Sequence, residues 1–210
     1  MLSRNDKGTE KSEKEQNTKS SMMILIDDHI NDFDLQQALT QISEQRREQA
    51  LRYKHEHGQR TCVLAYLLLK KALEQEFGIN ENPIFEYGEH GKPSIVGRPD
   101  IFFNLSHCRE AVACAVSSRP IGIDIESVGR YRESVARYAM NDEEILQIQH
   151  AQQPEVMFTR LWTMKEARLK LTGEGISRDM KHVLCEPEQK KYTTVECLER
   201  GYIYTVCELK

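Results

Sequence analysis

The 210 residues carry a formal net charge of −4, with 39% hydrophobic and 30% charged side chains, a balance that supports a real core in one domain or two small halves. The acidic balance excludes a nucleic-acid binder that works through bulk electrostatics, and no apolar run is long enough to span a bilayer. There is no signal-peptide-like apolar stretch at the start, so the cytoplasm is expected, and six cysteines without a C-x-x-C pair read as reduced, mostly buried small residues.

Residues 1–21 are dominated by charged and amide side chains, with no large apolar residue after Leu2, and read as a disordered tail. Met22 to Ile26 is a short apolar strand, expected at the centre of a sheet. Between Asp34 and Tyr53, apolar residues recur at helical intervals, with Ser43 a cap dividing two helices. This region is locally basic through Arg46, Arg47, Arg52 and Lys54. A strong helix is expected over Arg60–Phe77, closed by Gly78.

Glu86 to Pro93 carries the turn chemistry of a hairpin or surface loop, in which Lys92 is ordinarily a solvated residue. A strand follows Asp100, with Ile101, Phe103 and Leu105 alternating with Phe102, Asn104 and Ser106. Asn104, Ser106 and His107 stand at its end, a usual place for ligand-binding polar groups. Ala111–Val116 and Ile121–Glu126 read as two strands of a hairpin. In the second, Ile121, Ile123 and Ile125 point one way and Gly122, Asp124 and Glu126 the other. Two carboxylates about 7 Å apart on one strand face repel unless each is solvated or a cation lies between them. Both readings stay open on spacing alone.

Glu133–Gln149 is helical, with Asn141 an internal cap. Pro154 at a first turn and Gly173 at a left-handed exit bound a helix over 154–172. On its wheel Met157, Phe158, Leu161, Trp162, Met164, Leu169 and Leu171 form one broad apolar side, and Thr159, Thr163, Glu166 and Lys170 the opposite edge. Glu166 and Lys170 are one turn apart, which fits an ordinary exposed pair worth a few tenths of a kcal/mol. Lys165 lies inside the apolar arc, where it either snorkels or meets a carboxylate or an anionic ligand. Short strands over 182–185, 192–198 and 202–209 give an antiparallel finish. The order strand, helices, strands occurs twice, which permits a two-lobed α+β architecture.

Asp124 and Glu126 from a strand and Glu166 from a helix are a magnesium-like set, because Mg²⁺ takes oxygen ligands whereas zinc or iron would call for His or Cys. Three stretches then carry a resemblance: Phe103-Asn104-Leu105-Ser106-His107, Gly122-Ile123-Asp124-Ile125-Glu126, and Trp162-Thr163-Met164-Lys165-Glu166-Ala167-Arg168-Leu169-Lys170 with Gly173-Glu174-Gly175-Ile176. In this order and separation they resemble the successive motifs of the 4′-phosphopantetheinyl transferases, in the larger, monomeric Sfp-type branch.

The resemblance implies two similar lobes related by a pseudo-two-fold, residues 22–120 and 121–210, the second bearing the metal site. It implies coenzyme A as co-substrate, an apo acyl or peptidyl carrier protein as partner, and adenosine 3′,5′-bisphosphate as product. It assigns Mg²⁺ to Asp124, Glu126 and Glu166, and coenzyme A phosphates to Ser106 and His107, helped by Arg60, Lys92 and, on a looser match, Arg46. Glu166 would take the proton of the carrier serine and Lys170 would neutralise the departing phosphate. Cys108 stands where many relatives have a second serine, which puts a thiol near the ligand. The competing readings are a non-catalytic carrier-protein or nucleotide-binding module of the same fold, and a Mg-dependent phosphohydrolase of another fold.

Overall fold

The computed structural model describes residues 22–88, 90–129, 131–173, 179–185 and 189–210. The expected tail over 1–21, the Glu174-Gly175-Ile176 part of the last motif and the turn at 186–188 lie outside these residues. The fold is α+β. Strand β1 (Met22–Asp27) is followed by helices α1 (Leu35–Leu39), α2 (Glu44–Leu51) and α3 (Glu56–Phe77). Asp34 and Ser43 cap α1 and α2 through the backbone N–H groups of Gln37 and Arg46, the division that Ser43 suggested. Helix α3 starts four residues before the expected Arg60 and ends on Gly78 in the left-handed region, at φ 66°.

Next come β2 (Phe85–Tyr87), β3 (Pro93–Ile95), β4 (Phe102–His107), β5 (Val112–Ser117) and β6 (Ile121–Ser127). β2 and β3 form a small hairpin. β5 lies between β1 and β4, antiparallel to both, so β1 is an edge strand rather than a central one. The hairpin expected between Ala111–Val116 and Ile121–Glu126 does not form. Ser118-Arg119-Pro120 instead carries the chain into a second sheet, ordered β6, β8 (Tyr202–Leu209), β7 (Lys190–Cys197).

Strand β5 explains why a continuous apolar run was needed. Val112, Cys114 and Val116 pack into a core built on α3, while Ala111, Ala113 and Ala115 meet Ile121, Ile123 and Ile125 of the second sheet. Small side chains on one surface leave room for branched ones on the other, which keeps the junction densely filled. The two sheets also meet along their edges. Asn104 Oδ1 accepts from the Ile123 N–H at 3.3 Å, and Ser106 Oγ accepts from the Ile125 N–H at 3.3 Å. Both contacts advance by two residues, so β4 and β6 run side by side in the same direction, joined by side chains where a ladder would use carbonyls.

The expected helix over 133–149 is two helices, α4 (Glu133–Ala139) and α5 (Asp142–His150), divided at Asn141. Asn141 and Glu144 form a reciprocal capping box, each side chain accepting from the other's backbone N–H at 2.9 Å. Helix α6 runs Pro154–Thr172 and closes on Gly173 at φ 76°, as its end signals predicted. A third core gathers Met140, Ile148, Phe158, Leu161 and Leu169 with Met180 and Val183. Residues 182–185 are not a strand. They follow a 3-10 turn at Met180–His182, capped by Asp179.

Candidate active site

Gly122 decides how closely α6 can lie on β6. A Cβ placed there would stand 2.0 Å from the Ala167 carbonyl oxygen and 2.6 Å from the Leu171 nitrogen, so the helix backbone occupies the space of the missing side chain. The face of β6 that bears Gly122 and Asp124 is therefore covered. The polar edge of α6 is the edge that covers it. Thr159, Thr163 and Glu166 are buried, and Thr163 Oγ1 lies 2.8 Å from Thr205 Oγ1 of β8, the residue paired with Asp124.

Asp124 is 3% exposed. Its Oδ1 accepts from Lys170 Nζ at 2.6 Å and from Ser106 Oγ at 2.8 Å, and Lys170 Nζ also donates to Ser106 Oγ at 2.8 Å. Lys170 thus bonds across to the strand, not back along the helix to Glu166 as an exposed pair would. Asp124 Oδ2 and Glu166 Oε1 are both buried without a hydrogen-bond partner. Burial, then the Asp124 charge, push the Glu166 carboxyl above the ordinary range, and Lys170 partly opposes them. Two buried carboxylate oxygens left open on facing elements suit a hard cation, since orphaned acceptors of this kind are otherwise costly.

Glu126 is half-buried and lines a cavity of about 580 Å³ walled by Tyr131, Val135, Phe158, Thr159 and Trp162. Glu166 and Lys170 open instead onto a cleft of about 280 Å³ shared with Lys92, Asn104 and Gly173. Among the described residues, the three acids are not drawn into a tight cluster. Among the described residues, the one trio of potential ligands within 4.8 Å of one another is Asp27, Asp28 and His29 at the end of β1. There Asp28 already accepts from Arg200 and Tyr202.

The expected phosphate-binding residues divide. Lys92 reaches the cleft and donates to the Leu171 carbonyl at 2.9 Å, at the C-terminal end of α6, and burial lowers its pKa. His107 ends β4. Burial and then the charges of Lys170, His57 and Arg46 hold its imidazole below the ordinary range, against the pull of Asp124. Arg60 lies elsewhere, pairing with Glu56, donating to the Phe33 carbonyl and stacking over the Phe33 ring. Arg46 is buried and ties α2 to α3 through the Cys62 carbonyl, with Gln49 as its third contact. Cys108 is buried in the junction between the sheets, and burial pushes its thiol up to about 11.

Lys165 finds a carboxylate. It is fully buried, with Nζ 2.8 Å from Glu144 Oε2 and 2.7 Å from the Met180 carbonyl. The partner belongs to the α5 capping box. The pattern Asn141-x-x-Glu144 signals the box, but nothing local to it signals the lysine.

Comparison with known proteins agrees with the motifs. Residues 120–208, which include β6, α6 and the second sheet, match the family model described as the 4′-phosphopantetheinyl transferase superfamily. A 4′-phosphopantetheinyl transferase of Bacillus subtilis is 34% identical over 65% of this chain and 62% of its own length. The gsp transferase of Aneurinibacillus migulanus is 35% identical over 72% of this chain and 62% of its own. These matches thus span less than two thirds of either relative. The Sfp transferase of Bacillus subtilis strain 168 is 30% identical over 73% of this chain and 70% of its own. The chain belongs to the 4′-phosphopantetheinyl transferase superfamily and, within it, to the Sfp type.

Proposed function

We propose that this protein transfers the 4′-phosphopantetheine arm of coenzyme A to a serine hydroxyl of an apo acyl or peptidyl carrier protein, in a Mg²⁺-dependent reaction that releases adenosine 3′,5′-bisphosphate. One observation carries the reading: Asp124 Oδ2 and Glu166 Oε1 are buried, unpartnered acceptors on facing elements, beside the Lys170 ammonium. In this proposal Asp124, Glu126 and Glu166 hold Mg²⁺, which when bound offsets charge on the pyrophosphate oxygens. In the same reading the lobes are residues 22–120 and 121–210, and the active unit is a cytoplasmic monomer.

The side chains have separable tasks. Glu166 stands beside Asp124 at the cleft and takes the proton of the attacking serine, directly or through a bound water. Lys170 compensates negative charge on the leaving phosphate, and its 28% side-chain exposure keeps it within reach of a ligand in the cleft. Lys92 and His107 stand on the first-lobe side for the remaining phosphates. No enzyme nucleophile is required.

The test is direct: incubate the protein with coenzyme A, Mg²⁺ and several apo carrier proteins, and weigh the carriers. A gain of one phosphopantetheine mass on at least one carrier, abolished by chelation, is expected. Coenzyme A binding without mass gain on any carrier would favour a non-catalytic module.

A further inference from the structure

We propose that Asp28 and Glu110 are positioning residues for coenzyme A, a polar clasp outside the cleft that holds the second sheet at a fixed angle to the first; this rests on the transferase reading above. Both acids stand at one end of the first sheet. Asp27 and His107 flank Val112 across the ladder of β1, β5 and β4, so Asp28 after β1 and the Cys108–Ala111 connection after β4 lie at the same end. On the second sheet, Ser127 of β6 and Tyr202 of β8 are register partners. Each gives its hydroxyl to one of the acids: Ser127 donates to Glu110 Oε2, and Tyr202 donates to Asp28 Oδ2 at 3.3 Å. Ser127 is 3% exposed and Tyr202 4%, so without its acid either hydroxyl would be stranded away from water.

The acids are themselves held. Arg200, just before β8, donates to Asp28 Oδ2, and Arg109 Nε donates to Glu110 Oε1 at 2.7 Å. At the opposite end of β6, Ser118-Arg119-Pro120 ties the sheets together through the chain. Between these ends Ala111, Ala113 and Ala115 meet Ile121, Ile123 and Ile125, and apolar burial holds surfaces together without fixing an angle. The clasp supplies direction, because hydrogen bonds to a charged acceptor are both strong and oriented. The cleft draws its walls from both sides of this junction, Lys92 and Asn104 against Glu166 and Lys170, and neither acid lines it. A ligand that bridges the walls binds only the fraction of molecules whose walls stand at the right separation. Loosening the clasp lowers that fraction and leaves the bound complex unchanged.

The experiment compares the wild type with Asp28→Ala/Glu110→Ala, with Tyr202→Phe, which keeps its packing should the first variant fail to fold, and with Glu110→Gln, which keeps an acceptor for Ser127. Coenzyme A affinity is measured by titration calorimetry, KM and kcat by transfer to a carrier protein. Amide hydrogen exchange is followed at Ile123 and Ile125, whose N–H groups are received by first-sheet side chains. The double variant is expected to bind coenzyme A about tenfold more weakly and to show KM raised by the same factor, with kcat near the wild-type value. Exchange at Ile123 and Ile125 should quicken while amides paired inside either sheet keep their rates. Tyr202→Phe should show a smaller change of the same kind, and Glu110→Gln should stay near the wild type.

Wild-type affinity and wild-type exchange in whichever clasp-breaking variant folds would overturn the proposal. So would exchange quickened uniformly across both sheets, the mark of a purely structural loss, or a fall in kcat at unchanged KM. Failure of the transferase reading looks different: the wild type would modify no carrier, while affinity and exchange would still decide the role of the clasp.

Discussion

Replacing Gly122 by alanine asks one methyl group to share space with the backbone of α6. The added Cβ would fall 2.0 Å from the Ala167 oxygen and 2.6 Å from the Leu171 nitrogen, the acceptor and donor of a single i to i+4 helical hydrogen bond. Ordinary contact begins near 3.4 Å, so the helix must retreat by about 1.4 Å or lose that bond. Overpacking of this kind costs about 1–3 kcal/mol, which in a chain of this size lowers Tm by roughly 2–12 °C. Activity should suffer more than stability. Glu166 and Lys170 each lie one residue before one of the two crowded positions, Ala167 and Leu171, and a displacement of about 1 Å at reacting groups lowers rates by about 10²-fold. Thermal unfolding together with carrier modification checks both halves. A Gly122→Ala protein with unchanged Tm and unchanged turnover would refute the claim that this close approach builds the site.

Glu166→Gln tests the electrostatics. Because the carboxyl is raised above its unfolded value of 4.5, its contribution favours the folded state fully below about 4.5 and is lost as pH rises through the folded value. In divalent-free buffer the wild type should therefore lose stability through mildly acidic pH, whereas Glu166→Gln should be flatter there and melt higher at pH 8. Parallel profiles would show that Glu166 is not strained by burial and Asp124. Lys165→Met tests the buried pair. Removing the ammonium leaves the Glu144 carboxylate with only the Asn141 N–H and should cost about 3–5 kcal/mol by denaturant unfolding. Adding Glu144→Gln should return part of that loss. Strict additivity of the two substitutions would argue against a coupled pair.

The sequence shows its local structure well. Pro154 and Gly173 bound α6 because each acts on its own backbone, and Ser43 and Asn141 divide helices for the same reason. It does not show which strands pair. Ala111–Val116 and Ile121–Glu126 have the length and connection of a hairpin, yet each finds better partners elsewhere, β5 between β1 and β4 and β6 against β8. A strand's partners are chosen by distant segments, so a short connection misleads. The wheel of α6 likewise separates two faces correctly but cannot say that the polar one is inside. Its threonines and Glu166 are covered because Gly122, Asp124 and Thr205 offer a polar, close-fitting surface. Of the expected phosphate ligands, Arg46 and Arg60 show the same limit. Their charge is legible, but the carbonyls that engage them, Cys62 and Phe33, are not.

The two lysines of α6 show how one helix separates support from chemistry. Five residues at about 100° each set Lys165 and Lys170 about 140° apart around the axis, so they cannot face the same neighbour. Lys165 points into the helical core, fully buried against Glu144 and the Met180 carbonyl, with nothing beyond it but protein. Lys170 points at β6 and keeps part of its side chain open to the cleft. Rotating α6 by even one residue would carry Lys165 out of its ion pair, leaving a buried charge unmatched, a penalty of several kcal/mol. Lys165 thus sets the rotation of the helix. That rotation is what turns Glu166 and Lys170 toward Asp124, so a fully buried residue outside the cleft fixes the direction in which the others face.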